Sequence, residues 1–233
     1  MSAYHKAATK HLKLSLLTIA GSLLIANTAS AEGTVVGKVG TLGGGIEYVH
    51  PLSSKFAIGV GFNGFSFSDT LEEDDIDYDA DLKMQNFSVI ADYHPFQNGF
   101  RLSAGVTHNG NEFSLSAKPT ENNEIEINGT SYQTGDTLES LDGLIDFKSL
   151  APYVGIGWGH APKSGKGWSF DADLGVLFQG SPNASLTVVC VEPDSESCQM
   201  LEDDVEEEEI GFREDTEDFD LYPVLTIGAS YTF

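Results

Sequence analysis

Residues 222–233, YPVLTIGASYTF, alternate between two kinds of side chain up to the aromatic Phe233. Every second position is apolar: Leu225, Ile227, Ala229, Tyr231 and Phe233. The positions between them are small: Thr226, Gly228, Ser230 and Thr232. Because successive side chains of a β-strand point to opposite faces, this period of two predicts a strand with one apolar face.

The same period of two recurs in segments 56–63, 86–94, 100–108, 150–158 and 168–179. A soluble antiparallel sandwich would also alternate in this way. The second face of these segments, however, is mostly Gly, Ala, Ser and Thr with few charges. Small side chains suit the interior of a narrow barrel, where facing strands leave little room. No comparable stretch shows a helical period, so we expect an all-β fold.

The connections between these segments alternate between short and long. Short connections fall at 50–55, 94–99 and 159–167, and long ones at 69–81, 117–146 and 181–217. Aromatic residues flank the short connections: Tyr48, Phe56, Tyr93, Phe100, Trp158 and Trp168. A tilted strand from Trp168 to Phe178 rises about 25 Å, the height of the apolar band of an outer-membrane barrel. The pattern predicts strands that cross a membrane, because long structureless loops are uncommon in compact soluble domains.

The C-terminal stretch resembles the targeting signal of bacterial outer-membrane proteins, with Tyr231 and Phe233 as its aromatic positions. The resemblance implies that the barrel-assembly machinery reads this last strand. The chain as a whole resembles the small outer-membrane β-barrels of the OmpA and OmpX type. That family implies a transmembrane antiparallel up-and-down β-barrel in the outer membrane of a Gram-negative bacterium, with short periplasmic turns and long extracellular loops. We expect a monomer of eight strands, with a short first hairpin made by 34–40 and 42–49.

Residues 1–31 carry the features of a cleaved secretory signal peptide. Lys6, Lys10 and Lys13 precede an apolar run at 14–26, and Ala29-Ser30-Ala31 has the spacing of a cleavage site. A membrane anchor is the alternative, but the run is shorter than the ~20 residues that a spanning helix needs. We therefore expect the barrel domain to comprise residues 32–233.

The chain is strongly acidic, with 12 Lys and Arg against 36 Asp and Glu. Such a surface repels phosphate, so nucleic-acid binding is excluded as a function. The acids concentrate at 71–82, 121–127 and 201–220, within the predicted loops. These loops would meet outer-membrane lipid and lipopolysaccharide, whose phosphates are bridged by divalent cations.

Asp75, Asp77, Asp79 and Asp81 alternate as the ligands of a calcium loop do. The match to that loop is incomplete, because its sixth position is Ala80 rather than Gly and its twelfth is Asn86 rather than Glu. We expect loose Ca²⁺ or Mg²⁺ binding there and no other cofactor. A charge run that is merely solvated is the alternative.

Cys190 and Cys198 lie close together in the last long loop. The oxidising periplasm favours a disulfide between them. A zinc site is the weaker interpretation, since no third or fourth ligand has suitable spacing.

Several charged residues fall on the predicted lumen face: Glu47, Asp92, Arg101, Asp171 and Asp173, with Lys38, Lys148 and His94 as further candidates. Buried charges need partners, so we expect Arg101 to pair with acids of neighbouring strands. Lipid A-modifying barrel enzymes use His, Ser and an acid, and Asp92, His94 and Ser103 could supply them. These residues lie far from the outer leaflet, so no catalytic residue is assigned. The leading hypothesis is a structural or surface-interaction barrel; a narrow channel and a lipid A-modifying enzyme are the alternatives.

Overall fold

The computed structural model describes residues 33–73, 76–119, 124–133, 137–162, 165–216 and 219–233. The predicted signal peptide therefore lies outside the described residues. Among the described residues, no helix is long and apolar enough to span a membrane. The elements are β1 Thr34–Gly40, β2 Gly43–Pro51, β3 Phe56–Glu73, β4 Ile76–Tyr93, β5 Phe100–Asn109, β6 Glu112–Pro119, β7 Glu124–Ile127, β8 Thr130–Gln133, β9 Leu138–Asp146, β10 Leu150–Trp158, β11 Gly167–Phe178, β12 Asn183–Cys190, α1 Glu196–Thr216 and β13 Leu221–Thr232.

Eight of the strands form a closed antiparallel barrel in the order β1-β2-β3-β4-β5-β10-β11-β13. The first and last strands pair directly, with Thr34 opposite Thr232, and β4 pairs with β5. The predicted strand number and the short first hairpin are confirmed. Gly43, at φ +88°, turns the chain between β1 and β2 and would be strained with a side chain.

The barrel is apolar outside and polar inside. Alternate large side chains on the wall are exposed, as Phe62, Phe170 and Ile227 show, and a soluble monomer would not expose so continuous an apolar surface. Aromatic pairs form a belt at the end with the short turns, where the Trp168 and Tyr231 ring centroids lie 5.2 Å apart. This distribution is that of a wall solvated by lipid.

The barrel wall continues at the other end into a further sheet. Strands β3 and β4, each 18 residues long, run beyond the barrel, and the outer half of β4 pairs with β6. The sheet then adds β9 and β12 in antiparallel order. Regular structure thus occupies most of the three segments that the sequence predicted as long acidic loops. We call β6 to β9, β12, α1 and the outer halves of β3 and β4 the extension.

The extension has its own small hydrophobic core. Cys198, Leu201 and Val205 of α1 are buried against Ile127 and Tyr132 of the β7–β8 hairpin, together with Leu138 and Cys190. The three helical residues are spaced three and four apart, which places them on one face of a helix. Among the described residues, α1 is the single helix of an otherwise all-β fold. The sequence did not indicate it, because this short apolar face lies within a run of acids.

Candidate functional site

Arg101 is the centre of the charge network in the lumen. It extends from β5 and is 4 % exposed. Its Nη1 lies 2.9 Å from Asp171 Oδ1, and its Nη2 donates to Asp173 Oδ1 at 2.5 Å. Its Nε lies 3.9 Å from Asp92 Oδ1. One cation thus faces acids from β4 and β11, as charges in a region with little water require.

Gly157 of β10 makes this approach possible. It lies between the strands that carry the pair, opposite Arg101 on one side and Asp173 on the other. A Cβ at Gly157 would lie 2.2 Å from Asp173 Oδ1 and 2.8 Å from Arg101 Nε. The glycine therefore provides the space in which guanidinium and carboxylate cross the strand.

Two more charges of the predicted set are paired in the lumen, and one is not there. Lys38 Nζ contacts Glu47 Oε2 between β1 and β2. Lys148 is instead exposed, because the chain at 147–149 passes from the extension into β10. The lumen thus holds a second ion pair besides the network of Arg101.

The space left beside the charge network of the lumen is small. A cavity of about 50 Å³ lies beside Arg101, Asp92 and Tyr153. Such a volume holds only a few water molecules. Side chains fill the lumen at this level, as expected for eight strands.

The three residues considered for catalysis do not form a Ser-His-acid relay. Ser103 Oγ donates to Asp92 Oδ1 at 2.6 Å, whereas His94 Nδ1 lies 3.1 Å from the carbonyl oxygen of Asn98. In the described part of the chain, no hydrogen bond joins His94 to Ser103. The nucleophile and base of such a relay must be within hydrogen-bond reach.

His160 is a lumen residue that the sequence analysis missed. It lies in the connection between β10 and β11, is 3 % exposed, and places Nδ1 3.0 Å from Asp171 Oδ1. Strand periodicity gives no orientation for a residue in a turn, so no sequence pattern marked it. Its proximity to Asp171 depends on how the turn folds against the barrel.

The second candidate site is the acidic surface of α1. The helix carries ten acidic residues and one arginine. Asn128 at the tip of the β7–β8 hairpin donates from Nδ2 to Glu207 at 2.7 Å and from its backbone N–H to Glu208 at 3.2 Å. Tyr132 donates its hydroxyl proton to Asp204. Burial and this hydrogen bond raise the pKa of Tyr132 to about 12, and the same bond lowers the pKa of Asp204.

A disulfide links the helix to the sheet. Cys190 at the end of β12 and Cys198 in the first turns of α1 are bonded, with Cα atoms 5.9 Å apart. Arg213 near the other end of α1 donates from Nε to the carbonyl oxygen of Ala184 at 3.2 Å. The helix is therefore held to β12 at both ends.

The predicted cation ligands lie on the outer half of β4. Asp79 accepts a hydrogen bond from Thr70 Oγ1 at 2.8 Å, and Asp81 accepts one from Ser68. Asp75 and the side chain of Asp77 lie outside the described residues. Neither Asp79 nor Asp81 belongs to a group of three close potential metal ligands among the described side chains. Loose Ca²⁺ or Mg²⁺ binding there stays a prediction.

The closed eight-stranded wall, its lipid-exposed apolar face and its ion-paired lumen define the fold of a small outer-membrane β-barrel. Two solved structures from Acinetobacter baumannii are similar to it. CarO2 is 22 % identical, with 87 % of this chain and 98 % of that chain covered and a TM-score of 0.53. CarO is 21 % identical, with 89 % and 100 % covered and the same TM-score. No protein-family model and no curated protein matches the chain.

Proposed function

We propose that the protein is a non-conducting outer-membrane barrel that presents a rigid acidic surface outside the cell, and that this surface binds basic segments of other proteins or peptides. The observation that carries the proposal is the folded extension with α1 fixed to it. Outer-membrane barrels keep their short turns in the periplasm and their long connections outside. With that orientation the extension projects from the cell.

The order of the extension favours a binding function over simple solvation. A charged loop that only keeps a surface wet gains nothing from β-strands, a helix and a cross-link. Ordering a segment costs roughly 1–2 kcal/mol per residue in backbone entropy. When folding has already met that cost, less is lost on binding a partner.

The charge of α1 determines the chemistry of the partner. The exposed acids Glu202, Asp203 and Glu206 lie on neighbouring turns of the helix. A dense single-sign surface attracts the opposite charge and accelerates encounter at low salt. A segment rich in Lys and Arg is the complementary ligand.

The lumen argues against the two alternative functions, a narrow channel and a lipid A-modifying enzyme. The paired charges around Arg101 leave a cavity of about 50 Å³, which is too small for a solute larger than water. A lipid-modifying reaction needs a nucleophile activated by a base. Among the described residues no histidine is hydrogen-bonded to Ser103, and Asp92, which accepts its proton, also faces Arg101.

Binding of a fluorescent oligolysine to the protein in nanodiscs tests the proposal. Binding should weaken steeply with added salt. Removing two exposed charges from α1, Asp203→Asn with Glu206→Gln, should weaken it about 2- to 30-fold, from about 0.2–1 kcal/mol for each of the two exposed pairs. The matched control is Asp69→Asn with Asp142→Asn, which removes the same net charge from β3 and β9. Equal weakening by both pairs, or no binding by the native protein at low salt, would contradict the proposal.

A further inference from the structure

We propose that Asp92, His94 and His160 bind a divalent transition metal ion of the Zn²⁺ class at the short-turn end of the lumen. One potential ligand atom from each residue lies within 4.8 Å of the other two. Asp92 lies at the end of β4, His94 follows that strand directly, and His160 lies in the β10–β11 connection. All three side chains are buried, with exposures of 2 %, 0 % and 3 %.

Each histidine already has the hydrogen bond that a metal ligand needs on its other ring nitrogen. Nδ1 of His94 faces the carbonyl oxygen of Asn98 at 3.1 Å, and Nδ1 of His160 faces Asp171 Oδ1 at 3.0 Å. Both partners only accept hydrogen bonds, so Nδ1 carries the proton in each ring. In the neutral ring, Nε2 then presents a lone pair. Carbonyls and carboxylates hold metal-binding histidines in this way.

The two Nε2 atoms are the unexplained feature of this region. Both are buried and neither has a hydrogen-bond partner. Buried polar atoms without partners are uncommon and costly. Nε2 of His160 lies 3.7 Å from Asp92 Oδ2, which is too long for a hydrogen bond. Two tetrahedral ligands of one zinc ion, each about 2.0–2.1 Å from the metal, lie about 3.3 Å apart. His160 Nε2 and Asp92 Oδ2 would therefore have to approach by about 0.4 Å, and no pair of the three ligand atoms by more than about 1.5 Å.

The charge around the site favours a dication. The described ion-paired residues of the lumen include the cations Lys38 and Arg101 and the anions Glu47, Asp92, Asp171 and Asp173. With neutral histidines this set has two more negative than positive charges. One divalent ion would balance it, and imidazole with carboxylate is a ligand set that suits Zn²⁺, Cu²⁺, Ni²⁺ and Fe²⁺.

An ion can reach the site from the short-turn end. A cavity of about 380 Å³ opens there, with His160, Lys166 and Phe233 among its lining residues. The three protein ligands leave a fourth tetrahedral position for water or a further ligand. In the orientation proposed above, this entrance is in the periplasm.

Metal titration of the intact protein in detergent tests the proposal. After removal of metal with a chelator, one Zn²⁺ per chain should bind in competition with a chromophoric chelator. Co²⁺ should give the intense visible absorption of a four-coordinate ion. His94→Ala and His160→Ala should each weaken binding more than about 100-fold, above the 10- to 100-fold loss on removing an outer partner of a ligand. His50→Ala, an exposed histidine at the same end of the barrel, is the matched control and should bind as the native protein does.

Folding of each variant is checked by its faster migration in unheated gels. The Co²⁺ spectrum of the native protein requires no variant, so an unfolded mutant does not prevent a decision. Absence of a stoichiometric site in the native protein would overturn the proposal. So would native-like binding by folded His94→Ala and His160→Ala, since the ion would then lie on the surface.

Discussion

Replacing Arg101 should destabilise the barrel by about 3–5 kcal/mol, the usual loss when one member of a buried ion pair is removed. Asp171 and Asp173, at 2.9 and 2.5 Å from the guanidinium, would lose their cation. Arg101→Met keeps most of the side-chain volume, so the loss would be electrostatic rather than steric. Because about 1.4 kcal/mol is a factor of ten, the folding equilibrium constant should fall at least about 100-fold.

Urea unfolding of the barrel in micelles measures this loss. Trp158 and Trp168 are the two tryptophans of the chain and both lie in barrel strands, so their fluorescence reports on the barrel. Adding Asp173→Asn to Arg101→Met should recover about 1–2 kcal/mol, because one unpaired carboxylate is removed. Arg213→Met, which breaks an exposed pair with Glu209 and the hydrogen bond to Ala184 in the extension, is the control and should change barrel unfolding by at most about 1 kcal/mol. A loss below about 1 kcal/mol for Arg101→Met, or no recovery in the double variant, would show that the lumen charges are solvated by water.

Three further predictions concern the extension and the last strand. Cys190→Ser should speed proteolysis of α1 and leave barrel unfolding unchanged, because the disulfide, worth about 2–3 kcal/mol, stabilises the extension alone. Equal destabilisation of the barrel would contradict this. The raised pKa of Tyr132 stabilises the folded extension below pH 10, the ordinary pKa of tyrosine, and this stabilisation should disappear as the pH rises through about 12. Proteolysis of α1 measured over this pH range should show the loss in the native protein and not in Tyr132→Phe. The same loss in Tyr132→Phe would mean that another group causes it. Deleting Phe233 should leave unassembled, protease-sensitive protein in the periplasm, whereas normal assembly would refute the targeting role.

The barrel could be predicted from the sequence because its physics is local and repetitive. In β11 each inward residue alternates with a lipid-facing one, so two solvents impose a period of two on the chain. The same alternation predicts that Arg101 and the acids point inward, and a buried charge needs a partner of opposite charge. The pairing of particular residues depended on register, which the sequence alone does not determine.

The extension could not be predicted in the same way. Its strands show no clean alternation of exposure, and β9, which lies between β6 and β12, is an example. The buried face of α1 consists only of Cys198, Leu201 and Val205. Three apolar residues give a weak helical pattern in a segment that also holds ten acidic residues. His160 was missed because a turn residue gains its place from tertiary folding. Non-local packing decided all of these features.

Hydrogen–deuterium exchange of the intact protein in nanodiscs tests the central claim most directly, that an ordered extension stands on the barrel. The amides of 141–145 in β9 lie between β6 and β12, which pair with these residues on both sides. If the claim holds, they should exchange at least about 100-fold more slowly than unstructured chain, an opening free energy of about 2.7 kcal/mol. Exchange at unstructured rates in these strands, with barrel strands protected, would contradict the claim and would mean that these segments are flexible acidic loops.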